Sequence, residues 1–465
     1  MRNLRSRSSR NKEGLSGRSC RNDFISQMPD ELLLMILDLL PTKDAVATSS
    51  LSTRWRFVWC SLNVFDFDGE KSLENMEDDS TVLLINEQTK FINQVNGVIQ
   101  RHNLPTVQYF RIRFDLSMVY IQEIDHWLQF ALDKKVEILE LDLMQKSCMP
   151  RENPHENYDF PLPLSNRRMR HFYKWPSSDD IVLEMLSLYR LELYGVSVTE
   201  PTLKGFLKGA PCLEVLSIYG SHLSTHLHVG GSDNNLKHLK LVQCSGVKFI
   251  SLCNFDLESF IHVGKFVEYH FDDLPKLTDL KVGGVSVGLE DNVFSQVSCC
   301  VSSLQVLHLD IIDGPEEILD TDSVPKLPNV KKLTLIIRAT QDDSLLDYTS
   351  IAKACPILET FEIWLYWFSL AKRRRKVRRT ASHCHKHLKL LKVEGYYGRI
   401  SDLELVVYVM ENAIALQNIV IDPSCLYSRE GLTAANKLKV EQQARSSAKR
   451  QLQPIVPQGV ELTIK

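Results

Sequence analysis

A serine between glycines is the residue in this sequence that most directly suggests catalysis. Residues Gly284 to Gly288 read Gly-Val-Ser-Val-Gly, the pattern that places a nucleophilic serine on a sharp turn in many hydrolases. The residues Gly-Val-Ser-Val recur from Gly195 to Val198, and in both places the valines alternate as they would on a strand with one buried face. A repeated structural unit therefore explains the motif, and we do not expect Ser286 to be catalytic.

The segment from His383 to His387 suggests metal binding, because histidine and cysteine side chains are common zinc ligands. It reads His-Cys-His-Lys-His. Structural zinc sites use two separated ligand pairs, however, and no second cysteine pair lies nearby. We therefore predict no metal site here and expect an exposed basic loop.

The run from Lys372 to Arg379 is basic at every position except Val377. Such a run is typical of a nuclear-import signal or a phosphate-binding patch. A solvated loop between two structural units has the same composition. The sequence leaves these interpretations open.

The composition of the chain narrows its class. It has 465 residues, of which 44% are apolar and 24% charged, and a net charge of -3, which is ordinary for a globular protein. The charge does not predict a nucleic-acid partner, and no run of eighteen apolar residues predicts a membrane span. The eleven cysteines are odd in number and scattered, which favours reduced thiols. We expect a location in the nucleus and/or cytoplasm, and no cofactor.

From residue 105 onward the sequence repeats the pattern apolar-x-x-apolar-x-apolar. Between Leu188 and Leu416 the units begin 20 to 30 residues apart, which is the leucine-rich-repeat period. Each unit predicts one strand whose apolar residues point inward, and stacking of neighbouring units buries them. In the unit that begins at Leu257, His262 occupies the last apolar position. The residue between the last two apolar positions should point out of the core.

A short apolar helix is predicted near the start of the sequence. Between Leu32 and Leu40 only Asp38 is polar, Pro29 suits a first helical turn, and Pro41 ends the helix. Two apolar faces result, one with Leu33, Ile36, Leu37 and Leu40 and the other with Leu32, Met35 and Leu39. A helix that is apolar nearly all round must be buried on most sides. It therefore needs the rest of the chain, or another protein, as a packing partner.

Two further short helices are predicted after Pro41, one capped by Thr42 and one by Ser52. With these helices, residues 23–62 resemble the F-box of plant F-box proteins. The matching pieces are Met28-Pro29-Asp30-Glu31-Leu32-Leu33, Leu39-Leu40-Pro41-Thr42-Lys43-Asp44-Ala45-Val46, and Leu51-Ser52-Thr53-Arg54-Trp55-Arg56 with Trp59. The sequence departs from the family pattern at Phe24, where a basic residue is usual, and at Met28, where leucine is usual.

The resemblance implies that the three helices dock on a Skp-type adaptor, which is held by a cullin scaffold. The residues then expected to contact the adaptor are Pro29, Leu32, Leu33, Ile36, Leu37, Leu40, Val46, Leu51, Trp55 and Trp59.

The end of the chain resembles the FBD region that follows the repeats in many plant F-box proteins. The matching pieces are His387-Leu388-Lys389-Leu390-Leu391-Lys392-Val393 and Glu411-Asn412-Ala413 with Leu416. The expected fold is α/β, a short three-helix F-box followed by an irregular leucine-rich-repeat solenoid with an FBD-like C-terminal region. The expected organisation is a disordered basic tail (1–22), the F-box (23–62), a connecting segment (63–104), the solenoid (105–386) and the FBD-like region (387–465).

By this resemblance the protein is the substrate-recognition subunit of an SCF-type ubiquitin ligase and performs no covalent chemistry itself. The target is expected on the outward-pointing residues of the strands, namely Tyr194, Tyr219, Lys240, Lys281, His308 and Trp364. Two alternatives stay open: a protein-binding scaffold outside any ligase, and a small-molecule co-receptor.

Overall fold

The fold is built on one long parallel β-sheet. It is seen in a computed structural model that describes residues 25, 28–74, 81–145, 156–160, 185–231, 234–285, 293–311, 324–339, 344–367, 376–379, 383–424 and 434–465. Fourteen strands of the described residues pair in this main sheet, in the order of the sequence. They are β1 (Val64–Asp68), β2 (Tyr109–Arg113), β3 (Ile138–Asp142), β5 (Arg190–Tyr194), β7 (Val215–Tyr219), β9 (His238–Val242), β11 (Ser259–Val263), β13 (Asp279–Val285), β14 (Val306–Ile311), β15 (Lys332–Ala339), β16 (Thr360–Trp367), β17 (Leu390–Glu394), β18 (Asn418–Asp422) and β19 (Glu461–Ile464).

The remaining elements connect or flank these strands. The helices are α1 (Asp30–Leu37), α2 (Thr42–Ala47), α3 (Trp55–Val58), α4 (Glu70–Glu74), α5 (Thr81–Ile99), α6 (Ile121–Asp133), α7 (Glu200–Gly209), α8 (Val293–Gln296), α9 (Thr349–Lys353), α10 (Ile400–Asn412) and α11 (Ala434–Leu452). Three return strands, β8 (His226–Gly230), β10 (Phe249–Cys253) and β12 (Glu268–Asp272), form a second parallel sheet, and β4 (Tyr158–Asp159) pairs with β6 (Val196–Ser197). None of the helices that the structure describes is long and apolar enough to cross a membrane.

The predicted repeat pattern is confirmed by alternating burial along the strands. In β5, for example, Leu191 and Leu193 are fully buried, while Glu192 between them is half-buried on the other face. Parallel pairing in register stacks the buried residues of each strand on those of the next, so each unit covers the apolar surface of its neighbour. The opposite side, called here the open face of the main sheet, carries the residues predicted to point outward.

The main sheet extends beyond residues 105 and 386, the two predicted ends of the solenoid. Strand β1 precedes the first boundary and pairs with β2. Strands β17, β18 and β19 follow the second boundary and continue the same parallel register. The reason is that all four have the alternating apolar residues of the other units, which are buried in β1, β17 and β18 and half-buried in β19.

The F-box helices cover the first strand of the sheet and share its core. Helix α2 lies beside β1, and the Thr42 hydroxyl, predicted as a helix cap, instead accepts a hydrogen bond from the Asp66 N–H at 2.7 Å. The α2 N-cap is Pro41, which has no side-chain cap. The F-box therefore closes the edge of the sheet at a fixed position. The predicted Ser52 contact is present, since its hydroxyl accepts from the Trp55 N–H at 3.4 Å.

Replacing Thr42 with valine should lower the free energy of unfolding by about 1–3 kcal/mol, because it leaves the Asp66 N–H without its acceptor in the interior. Thr42 is only 2% exposed. Denaturant unfolding would measure the change. Thr42→Ser should restore most of the loss, and Thr53→Val, at an exposed position, should cost little. Equal stabilities of Thr42→Val and Thr53→Val would show that this contact does not hold the F-box on the sheet.

The glycines of the two Gly-Val-Ser-Val segments lie where regular strand geometry is interrupted: Gly195 in the bend between β5 and β6, and Gly284 at a register shift near the end of β13. Gly195 and Gly284 have φ values of +64° and +68°, a region in which glycine is favoured. A Cβ atom on Gly284 would lie 2.7 Å from the carbonyl oxygen of Gly264. This supports the repeat interpretation of the motif. Ser286 itself and the predicted tail at 1–22 lie outside the described residues.

His262 is a buried polar residue in a position that the repeats fill with apolar side chains. It is 0% exposed, and its Nδ1 lies 2.7 Å from the hydroxyl of Tyr269 on β12. Its Nε2 has no hydrogen-bond partner among the described residues. Burial lowers the pKa of His262 from its ordinary value of 6.5 to about 4, so the folded protein holds this imidazole neutral at neutral pH.

The stability of the protein should fall as the pH is lowered from about 6.5 towards 4. The unfolded chain binds protons in this window that the buried histidines of the folded state do not bind. His262, His102, His308 and His385 all have pKa values lowered to about 4, in each case first by burial. Urea unfolding at pH 7.5 and pH 5 would measure the loss.

Replacing His262 alone with leucine should be destabilising at neutral pH, because the buried Tyr269 hydroxyl loses its partner. Adding Tyr269→Phe should recover stability, and the double variant should lose less stability at pH 5 than the wild type. A double variant with the same pH dependence as the wild type would contradict this role for His262.

Candidate functional site

The F-box carries an exposed apolar stripe on helix α1 and the turn after it. Leu32, Met35, Ile36 and Leu39 are spaced at i, i+3, i+4 and i+7, so they share one helical face. They are 47%, 65%, 40% and 83% exposed. Leu51, in the turn between α2 and α3, and Phe57, on α3, are both 67% exposed and add apolar surface to the F-box. Contiguous apolar surface of this kind marks an interaction site.

The opposite face of α1 packs inside the protein, together with two tryptophans that were also predicted to contact the adaptor. Leu33, Leu37, Trp55 and Trp59 are at most 4% exposed and belong to the continuous core. They stabilise the F-box and are not available to a partner in this structure. Of the other predicted residues, Pro29, Leu32, Ile36, Leu40 and Leu51 are exposed and Val46 is half-buried.

The adaptor contacts predicted from the sequence did not include Met35, Leu39 and Phe57. The signal for the first two was present, because they share the i, i+3, i+4, i+7 spacing with Leu32 and Ile36. The predicted face of Leu33, Ile36, Leu37 and Leu40 is split, since Leu33 and Leu37 are buried while Ile36 and Leu40 are exposed. Which of two apolar faces meets the core depends on tertiary packing.

Arg54 connects the start of α3 to the start of α1. Its Nε donates to the Asp30 carboxylate at 3.1 Å, and its terminal nitrogen donates to the Met28 carbonyl oxygen. The Asp30 side chain is 64% exposed, so the ion pair contributes little energy by itself. Its effect is to set the orientation of α1, and therefore the direction in which the apolar stripe points.

The predicted target residues near the middle of the open face lie together. The rings of Tyr194 and Tyr219 are stacked, with centroids 4.2 Å apart. The Lys240 Nζ lies 4.8 Å from the Tyr219 ring centroid, within the range of a cation–π contact. The register places Lys240, Ile261 and Lys281 side by side on three adjacent strands. All are half-buried.

His308, which was predicted as a target contact, is largely covered. It is 9% exposed, and its ring packs edge-on against Trp364, with centroids 5.9 Å apart. Burial and the positive charge of Lys281 lower its pKa to about 4, so it is neutral at physiological pH. The bulky Trp364, two strands away on the same face, shields it from solvent.

Most cations on the open face are neutralised within the protein. Apart from Lys240 and Lys281, each Arg or Lys on a described strand of the main sheet lies within ion-pair distance of a carboxylate. These residues are Arg111, Arg113, Arg190, Lys332, Arg338 and Lys392. At the first strands the acids outnumber the bases: Asp66, Asp68, Glu140 and Asp142 surround Arg111 and Arg113. That end of the face is therefore acidic and closed by its own salt bridges.

The predicted basic loop before β17 is anchored to helix α10 where it is described. The Arg378 N–H donates to Glu404, and Arg379 lies 3.1 Å from Glu411. The side chains of residues 376–379 are exposed, which agrees with a solvated loop. The rest of the basic run, residues 372–375, lies outside the described ranges.

Within the histidine-rich segment, the side chain of His385 packs inside the protein, whereas the segment was predicted to be an exposed loop. It is 4% exposed, and its Nε2 lies 3.0 Å from the Tyr408 hydroxyl. Cys384 is exposed. In the described part of the chain, no three His, Cys, Asp or Glu side chains are grouped so that they could hold a metal ion.

A helical F-box that closes the first strand of a parallel repeat sheet defines an F-box protein with leucine-rich repeats. Comparison with family models agrees: an F-box domain model matches residues 25–67, and the model described as "At1g61320/AtMIF1, LRR domain" matches residues 98–465. The chain therefore belongs to this F-box and leucine-rich-repeat family. These matches support a non-catalytic role as a substrate adaptor.

The names of relatives from Arabidopsis thaliana describe the same combination of an F-box with leucine-rich repeats. F-box/FBD/LRR-repeat protein At4g26340 is 23% identical over 446 residues, covering 86% of this chain and 93% of that protein. F-box/FBD/LRR-repeat protein At5g53840 is 22% identical over 437 residues, covering 89% and 91%. F-box/FBD/LRR-repeat protein At5g22700 is 29% identical over 200 residues, covering 43% and 42%. The family model for the repeats extends to residue 465 and so includes the FBD-like region, and the main sheet likewise continues through this region to Ile464.

Proposed function

We propose that the protein is the substrate-recognition subunit of an SCF-type ubiquitin ligase. In this role the F-box binds a Skp-type adaptor, and through it a cullin scaffold, while the open face of the main sheet binds a target protein. The observation that carries the proposal is the exposed apolar stripe of Leu32, Met35, Ile36 and Leu39 on the F-box. Co-purification of the full chain with a Skp-type adaptor tests it.

Burial of the stripe would supply a large part of the free energy needed for stable binding. Burying each large apolar side chain contributes roughly 1.5–3 kcal/mol, and the stripe offers four of them. Association costs on the order of 4–15 kcal/mol in lost freedom and ordering. Leu51 and Phe57 add further exposed apolar area, so an interface that buries the whole set offsets this cost.

The mechanism is proximity. One end of the molecule holds the ligase scaffold and the sheet holds the target, which raises the effective concentration of the target near the ubiquitin-loaded enzyme. The F-box shares a continuous core with the repeats, and the Thr42 contact fixes it on β1. This coupling supports the proposal, because a fixed separation keeps the target within reach of the enzyme.

We propose that the protein is located in the reducing compartments of the cell, the cytoplasm and/or the nucleus. The described cysteines all carry free thiols, which is usual for proteins of those compartments.

A small-molecule co-receptor is less well supported. A cleft of ≈ 220 Å³ lies between the F-box and the first strands, lined by residues that include Pro41, Asp66, Phe67, Gly69 and Phe114. Small-molecule sites usually enclose about 300–1,000 Å³, so this cleft is small for that purpose. A protein-binding scaffold outside any ligase would keep the target surface but would not bind the adaptor, and the co-purification experiment separates the two.

A further inference from the structure

Lys240 and Lys281 differ from the other basic residues on the described strands of the main sheet, because they lack an acidic partner. Within the ranges that the structure describes, neither has a carboxylate oxygen within the 4.0 Å ion-pair distance, whereas the other Arg and Lys residues on these strands do. They lie on β9 and β13 with Ile261 of β11 between them. Their backbones are about 10 Å apart, because neighbouring strands are about 4.8 Å apart.

Asp310 and Asp279, the two acidic residues whose charges act on Lys281, interact with other residues. The Asp310 carboxylate accepts from Arg338 at 3.0 and 2.7 Å, and Asp279 accepts from the Ser259 hydroxyl at 3.3 Å. Burial and the neighbouring charge of Lys240 lower the pKa of Lys281. The structure thus keeps two like charges near each other on a half-buried surface, at a cost that a bound anion would relieve.

Apolar and aromatic side chains surround the two lysines. Val242 and Val263 are half-buried beside Ile261, and the Tyr194–Tyr219 stack lies next to Lys240. We define the central lysine patch as Lys240, Lys281, Ile261, Val242 and Tyr219. It combines cationic groups with apolar area and an aromatic face, which is the composition of a protein-binding hot spot.

We propose that the central lysine patch binds an acidic peptide segment of the target protein. Glutamate or aspartate side chains of that segment pair with Lys240 and Lys281, and an adjacent apolar or aromatic side chain packs on Ile261 and Val242. The inference rests on the proposed function for the existence of a target, but it specifies the chemistry by which the target is recognised.

A nucleic acid fits this surface less well. A polyanionic backbone that ran along the open face would meet the acidic residues of the first strands, where Asp66, Asp68, Glu140 and Asp142 outnumber their arginine partners. The net charge of the chain is -3, so no general attraction compensates for this repulsion. A short acidic segment with apolar neighbours avoids those residues.

The test uses the purified full-length protein and arrays of short synthetic peptides. One set has a central Glu-x-Glu with Leu, Tyr and other residues at the flanking positions, and the matched set has Gln-x-Gln in its place. We expect the wild type to bind the best Glu peptides roughly tenfold or more tightly than their Gln counterparts, because a hydrogen bond to a charged group is worth about this factor. Lys240→Gln/Lys281→Gln should abolish the preference.

The control is Lys276→Gln, which removes an exposed lysine that is already paired with Asp256 at 2.6 Å and should keep the preference. Equal binding of Glu and Gln peptides by the wild type would overturn the proposal, and so would a preference that survives in the double variant. Tighter binding of a single-stranded RNA, lost in the double variant, would assign the patch to nucleic acid instead. Adaptor pull-down on the same samples reports on the F-box separately, because the patch lies outside it.

Discussion

Replacing Met35 and Leu39 with aspartate should abolish binding of a Skp-type adaptor while the protein stays folded. The two side chains are 65% and 83% exposed, so they contribute little to the core, and their apolar surface is the main part of the stripe on α1. Losing two anchors worth roughly 1.5–3 kcal/mol each weakens binding by at least about a hundredfold. Pull-down of purified adaptor would measure the affinity, and circular dichroism would monitor the fold.

Two matched controls distinguish a local contact from a general effect of added charge. Val119 and Ile414 are 78% and 75% exposed and lie outside the F-box, so Val119→Asp and Ile414→Asp should bind the adaptor as the wild type does. Leu33→Asp should also lose binding, but by unfolding the F-box, because Leu33 is 0% exposed. Normal adaptor binding by Met35→Asp/Leu39→Asp would show that the stripe is not the adaptor-binding surface.

Gly395→Ala should destabilise the protein by roughly 2–4 kcal/mol. Gly395 follows β17 with a φ of +75°, and an alanine in that region of φ costs about 1–2 kcal/mol. A Cβ atom there would also lie 2.2 Å from the carbonyl oxygen of Leu365, so the backbone of two neighbouring strands would have to separate. Denaturant unfolding would measure the loss.

Gly459→Ala provides the matched control. Gly459 has a φ of +89°, but no other atom lies within 4 Å of the position that its Cβ atom would take, so it carries the backbone penalty without the clash. The difference in unfolding free energy between the two variants measures the cost of the clash between β16 and the turn after β17. Equal losses in the two variants would show that the sheet is not packed continuously through the predicted FBD boundary.

The repeat sheet was predictable because each unit has the same pattern. One apolar face and one polar face alternate along every strand, and this periodicity depends on local sequence alone. The second sheet was not predicted, although β8, β10 and β12 also alternate, as in Glu268-Tyr269-His270-Phe271-Asp272. Helices more often return the chain between such strands, and alternation over five residues does not by itself distinguish a second sheet from a loop.

The binding surfaces were predicted less completely than the fold. Which side of α1 faces the core depends on where α3 and the first strand pack, and the sequence of α1 is apolar on both sides. His308 was expected to be accessible because it alternates outward, but Trp364 covers it. The isolation of Lys240 and Lys281 emerges only when the salt bridges of the neighbouring strands are known.

Native mass spectrometry of the chain co-expressed with a Skp-type adaptor and a cullin provides a direct test of the proposed role in an SCF-type ligase. We expect a single complex that contains one copy each of the 53.3 kDa chain, the adaptor and the cullin, and the loss of adaptor and cullin together from Met35→Asp/Leu39→Asp. A chain that remains free of both proteins, or a complex that persists unchanged in that variant, would contradict it.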